Sequence, residues 1–311
     1  MQFLLYGCTL QADRVIPGPL PACGTDTDIA ITFHASPSWG KEEGRVIDST
    51  AWLLVRRLEA GYHFVYHDDG TEFLVSSEGD RIAAATPQGA TLADTCGYLV
   101  GPVMGFALRL RGVVCLHAST VMIDHGAIVL CGPPGAGKST TAGAFAQRGF
   151  AVLAEDIAAL DDRGEAFLVQ PGYPRVNLWP ESAAALCGAV GALPAITPNW
   201  EKRYLPLPAP AQFHSVSAPL AAIYILGSRG SQPRPEIRQL KGVEALVALA
   251  SNTYTPYLLD SAMRAREFEV LRRLVAQVPV RQVQPPDDLA GIGGLCDALL
   301  QDYSTIAKDI P

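Results

Sequence analysis

Ala127-Ile128-Val129-Leu130-Cys131 runs directly into Gly132-Pro133-Pro134-Gly135-Ala136-Gly137-Lys138-Ser139, and this stretch decides how the chain is read. The five apolar residues have the length of a buried strand, and residues 139–147 carry a helix-like pattern. Between them stands the spacing G-x-x-x-x-G-K-[ST]. In such a loop the glycines let successive backbone N–H groups turn inward around an anion, and the helix N-terminus adds partial positive charge. Gly132, Pro133, Pro134, Gly135, Ala136, Gly137, Lys138, Ser139 and Thr140 are therefore expected to hold nucleotide phosphates. Lys138 would reach the outer phosphates and the Ser139 hydroxyl would ligate Mg²⁺, which makes ATP and Mg²⁺ the expected cofactors.

Working outward, residues 113–123 form a second apolar run, joined to the first through Asp124-His125-Gly126. The spacing predicts a tight hairpin, with His117 beside the phosphate site. A lone His in an apolar run fits a satisfied core position as well as a functional one. Downstream, Ala151-Val152-Leu153-Ala154 reads as the strand that follows the loop's helix, and it ends in Glu155-Asp156. At that strand end at least one carboxylate is expected to project toward the γ-phosphate and its metal, the alternative being a solvated acidic pair. One could bind Mg²⁺ while the other accepts a proton from an attacking hydroxyl.

Residues 1–88 alternate short apolar runs with Gly, Pro and Asp, as in Asp28-Ile29-Ala30-Ile31-Thr32-Phe33, and read as a small, mainly β domain. Phe73-Leu74-Val75-Ser76 and Arg81-Ile82-Ala83-Ala84 pair as a hairpin, with Gly79 supplying positive φ. Over 92–110 apolar residues recur at helical spacing (Leu92, Leu99, Val103, Phe106, Leu110), which predicts an amphipathic linking helix. The expected division is an N-terminal β-rich domain over 1–111 and an α/β domain over 112–311, with a central sheet carrying the phosphate loop and helices packed on it. The Pro-rich stretch 171–219 is expected to be mostly loop with one helix near 180–187.

With 311 residues, 49% of them hydrophobic, the chain can bury a sizeable core. A net charge of −7 and the lack of any Lys/Arg run speak against nucleic-acid and membrane partners. Seven scattered cysteines with no CxxC spacing point to reduced thiols, not zinc. The N-terminus has no basic segment ahead of a long apolar core, so a cytoplasmic protein is expected. Arg175, Lys202 and Arg203 lie in the middle stretch of a cation-poor chain. They fit phosphate or acceptor contacts and exposed loop charges equally well.

On these residues the chain resembles HPr kinase/phosphorylase, and more closely the HPr-kinase-like serine kinases found beside peptide-modification genes, including those that phosphorylate lasso-peptide precursors. In that family a His fifteen residues ahead of the first loop Gly and an acidic pair after the Ser/Thr are functional; here these are His117, Glu155 and Asp156. Leu4-Leu5-Tyr6-Gly7 and the hairpin near Phe73 also look like the N-terminal domain of those relatives. The resemblance implies transfer of the ATP γ-phosphate to a serine hydroxyl of a peptide or small protein. Asp156 would be the base, Glu155 and Ser139 would hold the metal, and His117 and Lys138 would support transfer. The usual Asp-Asp is Glu155-Asp156 here, and the family's following signature region is not recognisable. The resemblance leaves room for a homo-oligomer. A kinase of a small hydroxylated metabolite and a non-catalytic nucleotide-dependent regulator are the alternatives that the sequence leaves standing.

Overall fold

The computed structural model of the chain describes residues 1–37, 39, 44–230 and 234–306. It divides into two compact units. The first comprises Met1–Val113 with two later segments, Ile196–Trp200 and Tyr254–Arg264; the second comprises Val114–Ala195, Glu201–Thr253 and Ala265–Pro311.

In the first unit, nine strands among the described residues form one sheet. Their spatial order is Leu20–Pro21, Gln2–Leu5, Cys8–Ala12, Ile29–His34, Arg81–Ala85, Glu72–Val75, Tyr62–Tyr66, Leu53–Arg57 and Arg45–Ser49. Burial alternates along the strands, so that Cys8, Leu10 and Ala12, and likewise Ile29, Ile31 and Phe33, turn one face to the core. The expected hairpin is present as Glu72–Val75 against Arg81–Ala85, with Gly79 at φ 69°. A Cβ on Gly79 would lie 2.5 Å from the Ala107 carbonyl oxygen, so the turn is closed by backbone on that side.

The helix expected over 92–110 is broken. Leu92–Tyr98 and Met104–Leu110 are α-helical, and between them Leu99–Val103 forms a wide π turn in which Gly101 is non-helical at φ −98°, ψ −108°. Pro102 has no N–H to continue the ladder, which sets the break there. The apolar periodicity still places Leu99, Val103 and Phe106 in the core. Thr91 starts the first piece with a capping box, its hydroxyl accepting from Asp94 N.

The second unit carries an eight-stranded sheet among the described residues. Its long strand Val114–Ile123 pairs antiparallel with Ile157–Asp162 over its first half and with Gly126–Cys131 over its second. Gly126–Cys131 lies parallel to Ala218–Leu226, which lies parallel to Val280–Gln284. Phe167–Val169 joins Ile157–Asp162 to Ala218–Leu226, and Glu236–Leu240 closes the far edge. Val129, Ile223, Leu249, Leu271 and Leu274 belong to the core that joins this sheet to the helices Gly242–Ala250 and Ser261–Gln277. The helices Lys138–Gln147 and Ile292–Ile306 pack together, tied by the Arg148–Asp297 ion pair. The 171–219 stretch is more ordered than its prolines suggest. Arg175–Leu178 pairs with Arg203–Pro206 as a two-stranded sheet, and the helix Pro180–Cys187 leaves directly from it.

Gly79→Ala should cost about 2–3 kcal/mol, because it adds a backbone clash to an unfavourable φ. Gly89→Ala, at φ 100° with no atom within 4 Å of the added Cβ, should cost about 1 kcal/mol. Urea denaturation of both variants checks the contrast; equal midpoints would contradict it.

Candidate active site

The glycine-rich loop 132–139 takes its shape from its glycines. Gly132 opens it at φ 146°, and a Cβ there would meet the Leu226 carbonyl oxygen at 2.5 Å, so the loop presses against the end of the neighbouring strand. Gly135 and Gly137 are left-handed at φ 81° and 97°, and a Cβ on either would find no atom within 4 Å. Conformation, not crowding, calls for glycine at both, and the space beside them stays open to a ligand. Lys138 starts the helix Lys138–Gln147 and folds back, its Nζ donating to Gly132 O at 2.7 Å and Pro133 O at 3.2 Å. Burial, the largest influence, holds its pKa below the ordinary lysine value, while Cys131, Asp156 and Glu155 pull the other way.

Across from this loop the chain makes an unusual turn. Val152–Ala154 and Ile157–Asp162 both pair with Val114–Ile123, and between them Ile157 N donates to Glu155 O at 2.9 Å around Asp156, which has φ 68°. A three-residue turn with positive φ at a non-glycine centre is strained and uncommon. In a regular strand Glu155 and Asp156 would point to opposite faces. The turn breaks that alternation, and both carboxylates lie close enough to Lys138 to act on its charge.

Each carboxylate has its own partners. Glu155 is 4% exposed; its Oε1 accepts from Ser139 Oγ at 2.8 Å and its Oε2 from Asn177 Nδ2 at 3.0 Å. Burial first, and then the neighbouring Asp156, push its pKa well above the usual carboxylate range; Ser139, Lys202 and His117 oppose this. Asp156 is turned toward His117, whose Nδ1 lies 3.3 Å from Asp156 Oδ1 and 3.2 Å from Asp156 O. The hairpin of Val114–Ile123 and Gly126–Cys131 fixes that approach: Ala118 N, next to His117, donates to Asp156 O, and Ala118 stands opposite Cys131, the residue before the phosphate loop.

His117, Lys138, Ser139, Glu155 and Asp156 are thus brought together, and two of the three mid-chain cations stand around them in different ways. Lys202 lies over the Trp179 ring, 4.8 Å from its centroid, and its charge acts on both Glu155 and Lys138. Arg175 is buried between aromatic rings, 4.8 Å from the Tyr173 centroid and 5.5 Å from that of Tyr204, so it is no exposed loop charge. Arg203 sits opposite Leu178 in the same small sheet. Thr140 turns away, its hydroxyl paired with Ser182 at 2.8 Å. Asn177 is a site residue that motif reading passed over. It bridges Glu155 and the Tyr173 hydroxyl, the latter at 3.1 Å, and only its two-residue offset from Arg175 hints that the two share a strand face.

Among the described residues no group of three or more His, Cys, Asp or Glu is arranged to hold a metal by itself. A hydroxyl and a carboxylate in contact, Ser139 and Glu155, are hard oxygen donors suited to Mg²⁺ that takes its other ligands from phosphates and water. Together with the open glycine loop they fit Mg²⁺ and a nucleotide. None of the seven cysteines is in a disulfide, and five of them are buried. Among the described residues no helix is long and apolar enough to cross a membrane.

No family model matches the chain, and no curated protein matches it. Among solved structures it is similar to the Hpr(Ser) kinase/phosphatase from Coxiella burnetii, at 10% identity and a TM-score of 0.33, over 62% of this chain and 98% of that one. So loose a superposition carries no chemistry, which has to come from the residues.

Because Glu155 has a folded pKa above its unfolded value, the native state binds the extra proton between the ordinary glutamate value and neutrality. Stability therefore falls as pH rises through that window. Glu155→Gln removes the effect. Without nucleotide or metal, the variant should melt about 3 °C above the parent at pH 8 and level with it at pH 5. A thermal shift of the same size at both pH values would contradict the assignment.

Proposed function

We propose that the protein is a Mg·ATP-dependent phosphotransferase of the HPr-kinase-like kind, which moves the γ-phosphate to a serine hydroxyl of a peptide or small protein, such as a biosynthetic precursor peptide, in the cytoplasm. The turn at Asp156 carries the assignment. It holds two carboxylates near Lys138 in different surroundings, one against the Ser139 hydroxyl and one against a histidine. A nucleotide switch has no need of the second.

In this scheme the backbone N–H groups of Gly132 and of residues 135–140, with Lys138, hold the phosphates, the Lys138 ammonium leaving its own loop carbonyls for phosphate oxygens. Ser139 and Glu155 would hold the metal, and Asn177 keeps the Glu155 carboxylate in place. Bound Mg²⁺ would supply neutralisation of the phosphate charge. Asp156 takes the proton of the acceptor hydroxyl as its oxygen bonds to the γ-phosphorus and the bond to the β-phosphate oxygen breaks, releasing ADP. His117 orients Asp156 through Oδ1. Lys202, whose charge acts on Glu155 and Lys138, would be the cation that meets the transferring phosphoryl group or an acidic acceptor.

Asp156→Asn should leave ATP affinity within about threefold while transfer falls about 10²–10⁴-fold, as for loss of a base. Lys138→Ala should weaken binding and turnover together, since the lysine contacts phosphate in the ground and transition states. Calorimetric ATP titration with a radiolabelled transfer assay reads both. Unchanged ATP affinity in Lys138→Ala, or full transfer by Asp156→Asn, would overturn the proposal.

A further inference from the structure

The small sheet of Arg175–Leu178 and Arg203–Pro206 carries a side chain that the transfer chemistry leaves unused. Asn177 reaches from one face of this sheet to Glu155 Oε2 at 3.0 Å. Alternation puts Trp179 on the same face, because its backbone is still extended, at φ −67° and ψ 155°, before the helix Pro180–Cys187 begins. Leu178, between the two, faces the core at 1% exposure, whereas Trp179 is 57% exposed.

Single exposed apolar side chains are ordinary on protein surfaces, and position is what sets this one apart. Leu178 before it is paired with Arg203, and Pro180 after it confines its backbone to the extended region. Lys202, next to Arg203 on the facing strand, places Nζ 4.8 Å from the indole centroid. The charge of that ammonium also acts on Glu155 and Lys138, so the ring and the phosphate-transfer groups share one neighbour. An aromatic ring held in this way offers a large contact area at little further cost in conformational entropy.

Trp179 stands two residues past Asn177, about 6–7 Å along the strand. An extended peptide advances by the same rise and turns every second side chain to the same side. With its serine hydroxyl at the carboxylates, such a peptide therefore brings the side chain two residues away level with the indole. Lys202 takes one approach to the ring, and what the remaining surface meets best is a second aromatic ring, offset or edge to face. We propose that Trp179 is the specificity-determining residue of the acceptor site and receives an aromatic side chain two residues from the acceptor serine. The inference rests on the serine-transfer reading and adds to it the kind of peptide that is chosen.

The test is phosphate transfer from γ-labelled Mg·ATP to synthetic peptides by the full chain, as the parent, Trp179→Ala and Trp179→Phe. Each peptide holds one central serine among Gly, Ala and Lys; one set carries a single Phe at each position within three residues of the serine, and one peptide has none. For the parent, kcat/KM should be about fivefold higher with Phe two residues from the serine than without Phe, through a lower KM. Trp179→Ala should treat the two peptides alike and Trp179→Phe should restore most of the difference, with calorimetric ATP affinity within about twofold of the parent in both. No preference at that position in the parent, a preference kept by Trp179→Ala, or an equal loss on every peptide would overturn the role of Trp179 and leave transfer standing. A larger fall in ATP affinity with Trp179→Ala would give the ring to the nucleotide and overturn that role too. No labelling of any peptide by the parent would overturn the serine-transfer reading and this inference with it.

Discussion

The hydrogen bond from Ser139 Oγ to Glu155 Oε1 spans the one gap that this architecture has to close. Ser139 belongs to the helix that leaves the phosphate loop, and Glu155 to the turn between two strands on the far side of Val114–Ile123. Neither element reaches the other by local geometry. They meet because Val114–Ile123 lies between the two, pairing with Gly126–Cys131 over Ala118–Ile123 and with the strands around Glu155-Asp156 at Thr120 and Val121 and over Val114–His117. A slip of that register by one residue would turn the core face outward and move His117 off Asp156.

The same constraint accounts for the electrostatics. A buried glutamate beside a second carboxylate is costly, and a lysine stripped of water is costly too. Here the two costs offset each other in part, since Lys138 is pulled back toward its charged state by Asp156 and Glu155. Strain is concentrated at the same place, in the positive φ of Asp156. A site that stores charge and backbone strain without ligand is one that a charged ligand can relieve.

Much of this was legible in the sequence because strand, loop and helix around 127–147 are encoded by strictly local signals: an apolar run, glycines at the positions with positive φ, and a Lys-Ser helix start. The acidic pair and His117 were legible through their spacing from that loop. What stayed hidden depends on contacts distant along the chain. Arg175–Leu178 finds its partner strand at Arg203–Pro206, across a helix and several prolines, so composition read it as loop and Asn177 went unassigned. The helix over 92–110 kept its apolar period while Gly101-Pro102 broke its hydrogen bonds, because periodicity reports burial and not backbone continuity. The grouping of 196–200 and 254–264 with the first unit follows from packing, which no local signal announces.

Phosphoryl transfer itself is the claim on which the rest stands. Its most direct test is the intact mass of serine-containing peptides, beginning with those encoded beside this gene and including HPr, after incubation with the protein and Mg·ATP. A gain of one phosphate on a serine, with stoichiometric release of ADP, is the expected result. ATP bound tightly and recovered unchanged, with every acceptor at its starting mass, would contradict the account and make the site one that senses nucleotide without spending it.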